Sequence, residues 1–187
     1  LGFFDASKLR WNFDGPGTAS HSTLLVDGQG QTWGADYDGR LGDVADHGSW
    51  LAAAGDASRC YPGRLRKFVR TLLLVKPGFL VIRDVVECEG ERHVEWLLQV
   101  DGEMRSEGVV SFLESHGVSL AIVPFLPDRE DGWRWNDVTR TSVYECSDTR
   151  QEVTRSVRYR SFTPFRAAGR FEFVFGLRVN GRGPGDW

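Results

Sequence analysis

Three apolar runs joined by two turn signals occupy the centre of the sequence and restrict its fold most strongly. Residues 65–100 read LRKFVRTLLLVKPGFLVIRDVVECEGERHVEWLLQV, and the runs are rich in β-branched and aromatic residues and divided by KPG and EGE. In KPG, Pro77 suits the first central position of a type II turn, and Gly78 suits the second, which needs a positive φ. The pattern therefore predicts a β-hairpin that turns at Pro77 and Gly78.

Further short apolar runs continue this pattern along the chain. They are VVSFL, VSLAIVPFL, TSVYEC, EVTRSVRYRSF and FEFVFGLRV, each flanked by Gly, Pro, Asp or Ser. Many short strands with turns roughly every ten residues are typical of an antiparallel sandwich or barrel. The one helix-like window is SWLAAAGDAS, and no repeat or linker divides the chain. Residues 1–187 are therefore predicted to form a single all-β domain with little helix.

The formal net charge of −3 and the hydrophobic content of 41% limit the classes of function. A nucleic-acid-binding protein normally carries a strong basic stripe, so no nucleic-acid partner is expected. An acidic sugar polymer is compatible with this charge, because a local arginine cluster can hold a polyanion on an acidic protein. No apolar run is long enough to span a membrane. The first residues, LGFFDASKLRWNF, resemble neither a signal peptide nor a translation start, so we expect a piece of a longer protein.

Familiar catalytic and metal-binding motifs are missing from the sequence. It contains no G-x-S-x-G, no H-E-x-x-H, no P-loop and no C-x-x-C. The histidines lie far apart and show no ligand spacing among themselves: His21, His47, His93 and His116. The cysteines, an odd number at wide spacings, are predicted to be buried small apolar residues: Cys60, Cys88 and Cys146. An active site made wholly within this chain is therefore not expected.

Two sets of side chains are candidates for contact with a sugar polymer. In RYRSF, Arg158 and Arg160 share one side of a predicted strand, because successive side chains point to opposite faces. Such a side can lie along carboxylates or sulfates, or it can be a solvated outer face. Trp33, Trp133 and Trp135 lie in glycine-rich or polar loops, where their rings can stack on sugars or fill local packing.

Two separated motifs occur in the order seen in a known family. HSTLLVDGQGQ, residues 21–31, is followed by the segment 61–100, which holds an arginine, an apolar strand, a proline-containing turn and an apolar strand ending in Asp. Together they resemble the C-terminal β-sandwich region of the heparinase II/III-like polysaccharide lyases, most clearly over residues 18–100. The resemblance implies an antiparallel β-sandwich of the super-sandwich type that forms the C-terminal part of a larger lyase.

The resemblance also implies a role for His21. The family's histidine before Asn-Thr is commonly a zinc ligand, together with a histidine and an aspartate from earlier strands whose motifs do not occur before residue 21 here. A single histidine cannot hold zinc tightly, since zinc sites need three or four ligands. A structural zinc is therefore expected, with its other ligands outside this chain. Ser22 replaces the usual Asn, and Gln99 stands where relatives often carry histidine or another polar residue.

The activity that the resemblance implies is β-elimination on a uronate-containing polysaccharide such as a glycosaminoglycan or alginate. A base removes the C5 proton of the uronate, nearby donors neutralise the charge that develops on the carboxylate, and the C4 leaving group departs. In this family those groups come mostly from an N-terminal helical toroid, which these residues do not contain. The catalytic residues are therefore left unassigned, and the isolated chain is expected to be inactive. The substrate class implies a periplasmic or secreted location.

A second class of function stays open at this point. A non-catalytic carbohydrate-binding or structural β-sandwich would show the same strand pattern, with tryptophans as stacking platforms. For contact with the sugar polymer we assign Trp33, Arg158 and Arg160. The identity of the polysaccharide, endo or exo action, and the oligomeric state are not determined by the sequence.

Overall fold

The computed structural model describes the backbone of residues 3–5, 10–12, 18, 21–32, 34–99, 102–115, 117–126, 135–146, 151–162 and 165–180. Side chains are described over residues 18, 21–32, 34–99, 102–115, 117–126 and 166–180. Trp33 and Trp133 lie outside the described residues. Trp135, Arg158 and Arg160 lie on described strands, but their side chains are outside the described set.

Strands and tight turns account for the secondary structure. The strands are β1 (Phe3–Asp5), β2 (Arg10–Asn12), β3 (Leu24–Val26), β4 (Arg40–Asp46), β5 (Trp50–Asp56), β6 (Leu65–Val75), β7 (Phe79–Gln99), β8 (Glu103–Glu107), β9 (Val110–Ser115), β10 (Val118–Leu126), β11 (Trp135–Cys146), β12 (Gln151–Phe162) and β13 (Phe165–Val179). Across the described ranges, helical structure is limited to 3₁₀ turns such as Ala35–Tyr37 and Ser58–Cys60. The prediction of an all-β, antiparallel sandwich with little helix is confirmed. No helix in the described part of the chain has the length and apolarity to cross a membrane.

Two compact units make up the chain. One comprises Thr32–Arg92, Gly102–Trp133 and Arg166–Trp187, with its strands in the order β4-β5-β6-β7-β13-β10-β9-β8. The other comprises Leu1–Gln31, His93–Asp101 and Arg134–Phe165. Within it, β3 and β12 pair with the end of β7, β11 pairs with β12, and β1 pairs with β2. A single domain over residues 1–187 stays a prediction.

The strands β6 and β7 form the predicted central hairpin, and a buried ion pair lies between them. Their antiparallel register places Arg70 opposite Asp84. Arg70 donates from Nε and Nη2 to the two carboxylate oxygens of Asp84, each at 2.7 Å. Asp84 is fully buried, so a slip of the register would leave a charge without its partner inside the sheet. The pair therefore favours this one alignment of the two strands.

The turn of this hairpin differs from the predicted type. Val75 pairs with Phe79, so the residues from Lys76 to Gly78 make the connection. The Lys76–Pro77 peptide is cis, and Gly78 does not adopt a positive φ. The prediction of a type II turn was wrong, because a cis X-Pro peptide can reverse the chain without a left-handed residue.

The helix-like window SWLAAAGDAS is a strand. Its residues Trp50–Asp56 form β5, which pairs along its length with β4 on one side and β6 on the other. Alanine favours a helix by a fraction of a kcal/mol per residue as an isolated preference, and two backbone ladders outweigh that preference. The local composition was therefore misleading at this position.

Two of the three cysteines are buried, as predicted. Cys60 and Cys88 are both buried, while the side chain of Cys146 lies outside the described set. The Cys60 thiol donates to the carbonyl oxygen of Tyr37 at an Sγ···O distance of 2.9 Å. Burial raises the pKa of this thiol, so Cys60 behaves as a small neutral core residue.

Removing one partner of the buried ion pair should destabilise the protein strongly. Asp84→Ala leaves the Arg70 guanidinium, 21% exposed, without its counter-charge, and we expect the free energy of unfolding to fall by about 3–5 kcal/mol. Chemical denaturation followed by tryptophan fluorescence measures this loss. The double variant Arg70→Met/Asp84→Leu should recover most of it, since an apolar pair leaves no unpaired charge. Equal losses in the single and double variants would show that charge pairing is not the cause.

Candidate functional site

The segment around His21 is a strand followed by a tight reversal. Leu24–Val26 forms β3 and is buried along its whole length. Asp27 and Gly28 both adopt positive φ, at 53° and 72°. Val26 and Gln29 exchange two backbone hydrogen bonds of 2.9 and 3.0 Å across these residues. These features define a two-residue type I′ turn, for which Asp-Gly is a favoured pair, so the tight turn predicted in VDGQGQ is present.

Strand β3 is docked on the last residues of β7. Leu24, Leu25 and Val26 lie opposite Trp96, Glu95 and Val94 in an antiparallel register. The Leu97 amide continues the ladder by donating to the Thr23 carbonyl at 2.8 Å. Because β3 is only three residues long, burial of its side chains and this ladder hold it in place, and its own length contributes little.

Hydrogen bonds hold both the turn after β3 and the residues that follow it. At the turn, the Asp27 amide donates to the His93 carbonyl at 2.8 Å, and the His93 amide donates to Asp27 Oδ1 at 2.9 Å. Past the turn, the Gln31 amide donates to Thr18 Oγ1 at 2.6 Å. Gly30 lies so close to Thr18 that a Cβ at this position would collide with the threonine side chain. Residues 30 and 31, after β3, therefore contact Thr18, which precedes β3 in the chain.

His21 lies at the start of this closed segment with its backbone held on both sides. Its amide donates to the Thr18 carbonyl at 3.1 Å, and its carbonyl accepts from Gln99 Nε2 at 3.4 Å. The Gln99 amide also donates to Ser22 Oγ at 3.0 Å. The His21 side chain is largely exposed, but burial of part of the ring lowers its pKa. The imidazole is therefore mostly neutral near pH 7, which is the form that binds metals.

The arginines predicted to contact substrate lie in the same unit as His21. Strand β12 pairs with β7 so that Tyr159 lies opposite Gln99 and Arg160 opposite Leu98. Gln99 therefore pairs with Tyr159 of β12 and also donates a hydrogen bond from its amide to Ser22, next to His21. The strand that carries Arg158 and Arg160 is confirmed. Their shared side of the strand and their contact with substrate stay predictions.

Gln99 is the site residue whose position the sequence did not predict. Its amide and its side chain both donate to the segment that carries His21, to Ser22 and His21 respectively. The sequence marks Gln99 as a polar residue near the end of an apolar strand, at a position where relatives often carry histidine or another polar residue, and assigns it no contact. The long-range pairing of residues 24–26 with 94–96 is what brings it to His21, and no local pattern specifies such a pairing.

The described residues do not form a complete metal site around His21. No group of three His, Cys, Asp or Glu side chains in the described part of the chain is close enough to hold an ion. An exposed, mostly neutral imidazole on a firmly held backbone fits the part of one ligand among several. The zinc predicted at His21 stays a prediction.

The described strands thus form an antiparallel sandwich in which the segment that carries His21 pairs with the end of β7. The family model described as heparinase II/III-like, C-terminal, matches residues 2–174, and the chain belongs to this family. The resemblance drawn from the two sequence motifs is confirmed. No protein with a curated description matches the chain.

Solved structures of larger proteins share the fold. The heparinase III BT4657 gene product with methylated lysines aligns with a TM-score of 0.64 at 15% identity, over 87% of this chain and 24% of its own. A heparan sulfate lyase HepC mutant from Pedobacter heparinus aligns with a TM-score of 0.62 at 19% identity, over 89% of this chain and 25% of its own. Another heparinase III gives a TM-score of 0.59 at 14% identity, over 87% and 24%. This chain therefore spans about a quarter of the length of these proteins.

The close approach of Gly30 to Thr18 gives a test of the closed segment. In Gly30→Ala the new methyl group meets the Thr18 side chain, so we expect the free energy of unfolding to fall by about 1–3 kcal/mol. The matched control is Gly28→Asn, which has open space and a left-handed backbone that asparagine tolerates, at a cost below about 1 kcal/mol. Denaturant unfolding of both variants measures the difference. Equal effects would contradict the proposed closure of the segment by Thr18.

Proposed function

We propose that this chain is the C-terminal sandwich domain of a polysaccharide lyase that cleaves uronate-containing polysaccharides by β-elimination. The observation that carries the proposal is the family match over residues 2–174. Solved proteins of the same fold are named heparinase III and heparan sulfate lyase, and each is about four times the length of this chain. The rest of such a protein would be the helical toroid, which supplies the catalytic groups and packs against the sandwich.

This chain would contribute binding groups and structural support to the reaction. Arg158 and Arg160 are the cations assigned to the uronate carboxylate or to sulfates, since guanidinium groups bind such anions with paired hydrogen bonds. Trp33 is assigned to stacking on a sugar ring. The register of β12 on β7 supports this assignment, because it brings the backbone of Arg160 beside the strand that holds the His21 segment. The C5 base and the donors to the carboxylate would come from the toroid.

His21 would serve as one ligand of a structural zinc. When bound, zinc would tie the start of the His21 segment to earlier strands of the full-length protein. The neutral imidazole and the hydrogen bonds to Thr18 and from Gln99 support this role, because a ligand held in place loses little freedom on binding. The remaining ligands would come from residues outside this chain.

The substrate class also leads to a proposal about location. Acidic polysaccharides of the glycosaminoglycan or alginate type occur outside the cytoplasm, so we place the full-length protein in the periplasm or among secreted proteins. Fractionation of cells that express the full-length protein tests this placement.

Lyase activity of the full-length protein is the first test of the proposed function. Incubation with heparan sulfate, chondroitin sulfate, alginate and ulvan should release products with a new C4–C5 double bond, detected by ultraviolet absorbance, from at least one polymer. Arg158→Ala/Arg160→Ala should raise KM for that polymer by about tenfold through the loss of two charge-assisted contacts. Binding to a polymer without any eliminated product would favour the alternative, a non-catalytic carbohydrate-binding sandwich. Inactivity and no binding across the panel would reject both.

Metal content of the full-length protein tests the role of His21. We expect about one zinc per chain in the wild type and a loss of most of it in His21→Ala, because three or four ligands are needed for tight binding. His47→Ala is the matched control, since His47 is also an exposed histidine but lies in the other unit. Unchanged zinc in His21→Ala, measured by elemental analysis, would remove the proposed ligand role.

A further inference from the structure

Two hairpin turns of the unit that contains β4 to β7 are joined at one end of the sheet. The β4–β5 turn runs through His47 and Ser49, and the Lys76 amide at the β6–β7 turn donates to the Ser49 carbonyl at 2.9 Å. Trp50 lies opposite Val75 in the β5–β6 register. The side chains at these two turns are therefore held as one small surface, which we define as the hairpin-end surface: Asp46, His47, Trp50, Val75 and Lys76.

An aromatic platform forms part of the hairpin-end surface. The rings of His47 and Trp50 are stacked, with centroids 4.2 Å apart and planes inclined by 27°. The His47 amide donates to the Trp50 carbonyl at 2.9 Å, and the Ser49 amide donates to the His47 carbonyl at 2.8 Å. These bonds fix the turn that carries the two rings. His47 is exposed and Trp50 is partly exposed, so flat aromatic surface faces solvent beside Val75, which is 38% exposed.

A weakly paired cation lies beside this platform. Lys76 Nζ is 3.5 Å from Asp46 Oδ1, and the two side chains are 45% and 55% exposed. Exposed ion pairs of this kind contribute little to stability, so Lys76 can exchange Asp46 for another anion at small cost. The Gly48 amide donates to Asp46 Oδ1 at 2.9 Å and, with the charge of Lys76, lowers the pKa of Asp46.

We infer that the hairpin-end surface is a binding subsite for one acidic sugar unit of a polysaccharide. The apolar C–H face of a sugar ring packs on an aromatic platform, while a carboxylate binds an ammonium group and sugar hydroxyls donate to a carboxylate. The His47–Trp50 stack, Lys76 and Asp46 present these three groups together. The inference rests on the proposed function for the acidic character of the polymer, and it adds a binding site for that polymer on this chain.

A carbohydrate fits this surface better than a protein partner does. The platform is small, is bordered by opposite charges and is formed by turns, whereas the cores of protein interfaces are larger and depleted of charged residues. Aromatic rings with a few converging polar groups are typical of small-ligand sites. Packing against another part of the full-length protein is the competing explanation, and it predicts a lowered melting temperature with unchanged polymer binding.

Binding to polymer by the full-length protein tests the inference. Affinity electrophoresis in gels with heparan sulfate or alginate gives the dissociation constant for wild type, Trp50→Ala and Lys76→Ala. We expect both variants to bind about 5–10-fold more weakly, in keeping with the loss of one aromatic or one ionic contact. Lys76→Ala should also lose the preference for the native polymer over its carboxyl-reduced form.

Matched controls keep folding effects and the proposed function distinct from this inference. Arg166→Ala removes another exposed ion-paired cation, 3.1 Å from Glu91, and should leave polymer binding unchanged. His47→Ala and Lys76→Ala change exposed side chains, so they report even if Trp50→Ala fails to fold. Unchanged binding in both of these variants overturns the inference. So does a lowered melting temperature with unchanged binding, which would assign the surface to packing within the full-length protein.

If the full-length protein releases no unsaturated product from any polymer, the proposed lyase function is rejected, but the proposed subsite is not. Polymer binding measured on the same inactive protein would still support or overturn the subsite.

Discussion

The buried ion pair between Arg70 and Asp84 is the interaction on which the central hairpin depends. A fully buried carboxylate is tolerated only with its charge matched, and the two 2.7 Å hydrogen bonds from Arg70 match it in a single register of β6 and β7. The pairing with β6 ends at Cys88 of β7. Residues 94–96 then receive β3 and residues 97–99 receive β12.

The candidate site is positioned by backbone contacts more than by contacts between functional side chains. His21 is held by Thr18 and Gln99, and the turn after its strand is held by Asp27 on His93. Such an arrangement suits a ligand whose partners lie elsewhere in a longer protein, because the imidazole is left exposed while its backbone cannot move freely. It also agrees with the finding that no three His, Cys, Asp or Glu side chains among the described residues are close enough to hold one metal ion.

Much of the fold could be predicted from the sequence, and the errors have clear physical causes. The central hairpin, most of the later strands and the Asp27-Gly28 turn follow from alternation and turn chemistry, which are local properties. The turn predicted at EGE was wrong, because β7 runs from Phe79 to Gln99 through these residues, with Gly90 at a positive φ inside the strand. The type II turn was wrong because the isomer of the Lys76–Pro77 peptide is not written in the residue types. The strand β5 was taken for a weak helix because alanine propensity does not register the two ladders on either side of it.

The sequence by itself determined the all-β class and the family, because alternating apolar residues, turn residues and two ordered motifs persist in any arrangement of the strands. Only the tertiary structure decided that Gln99 holds the His21 segment and that the Lys76 amide bonds to Ser49, in the turn that carries the His47–Trp50 stack. These contacts join residues far apart in the chain or in separate turns. They depend on strand register, and register is set by burial and charge pairing across the sheet and not by local preference.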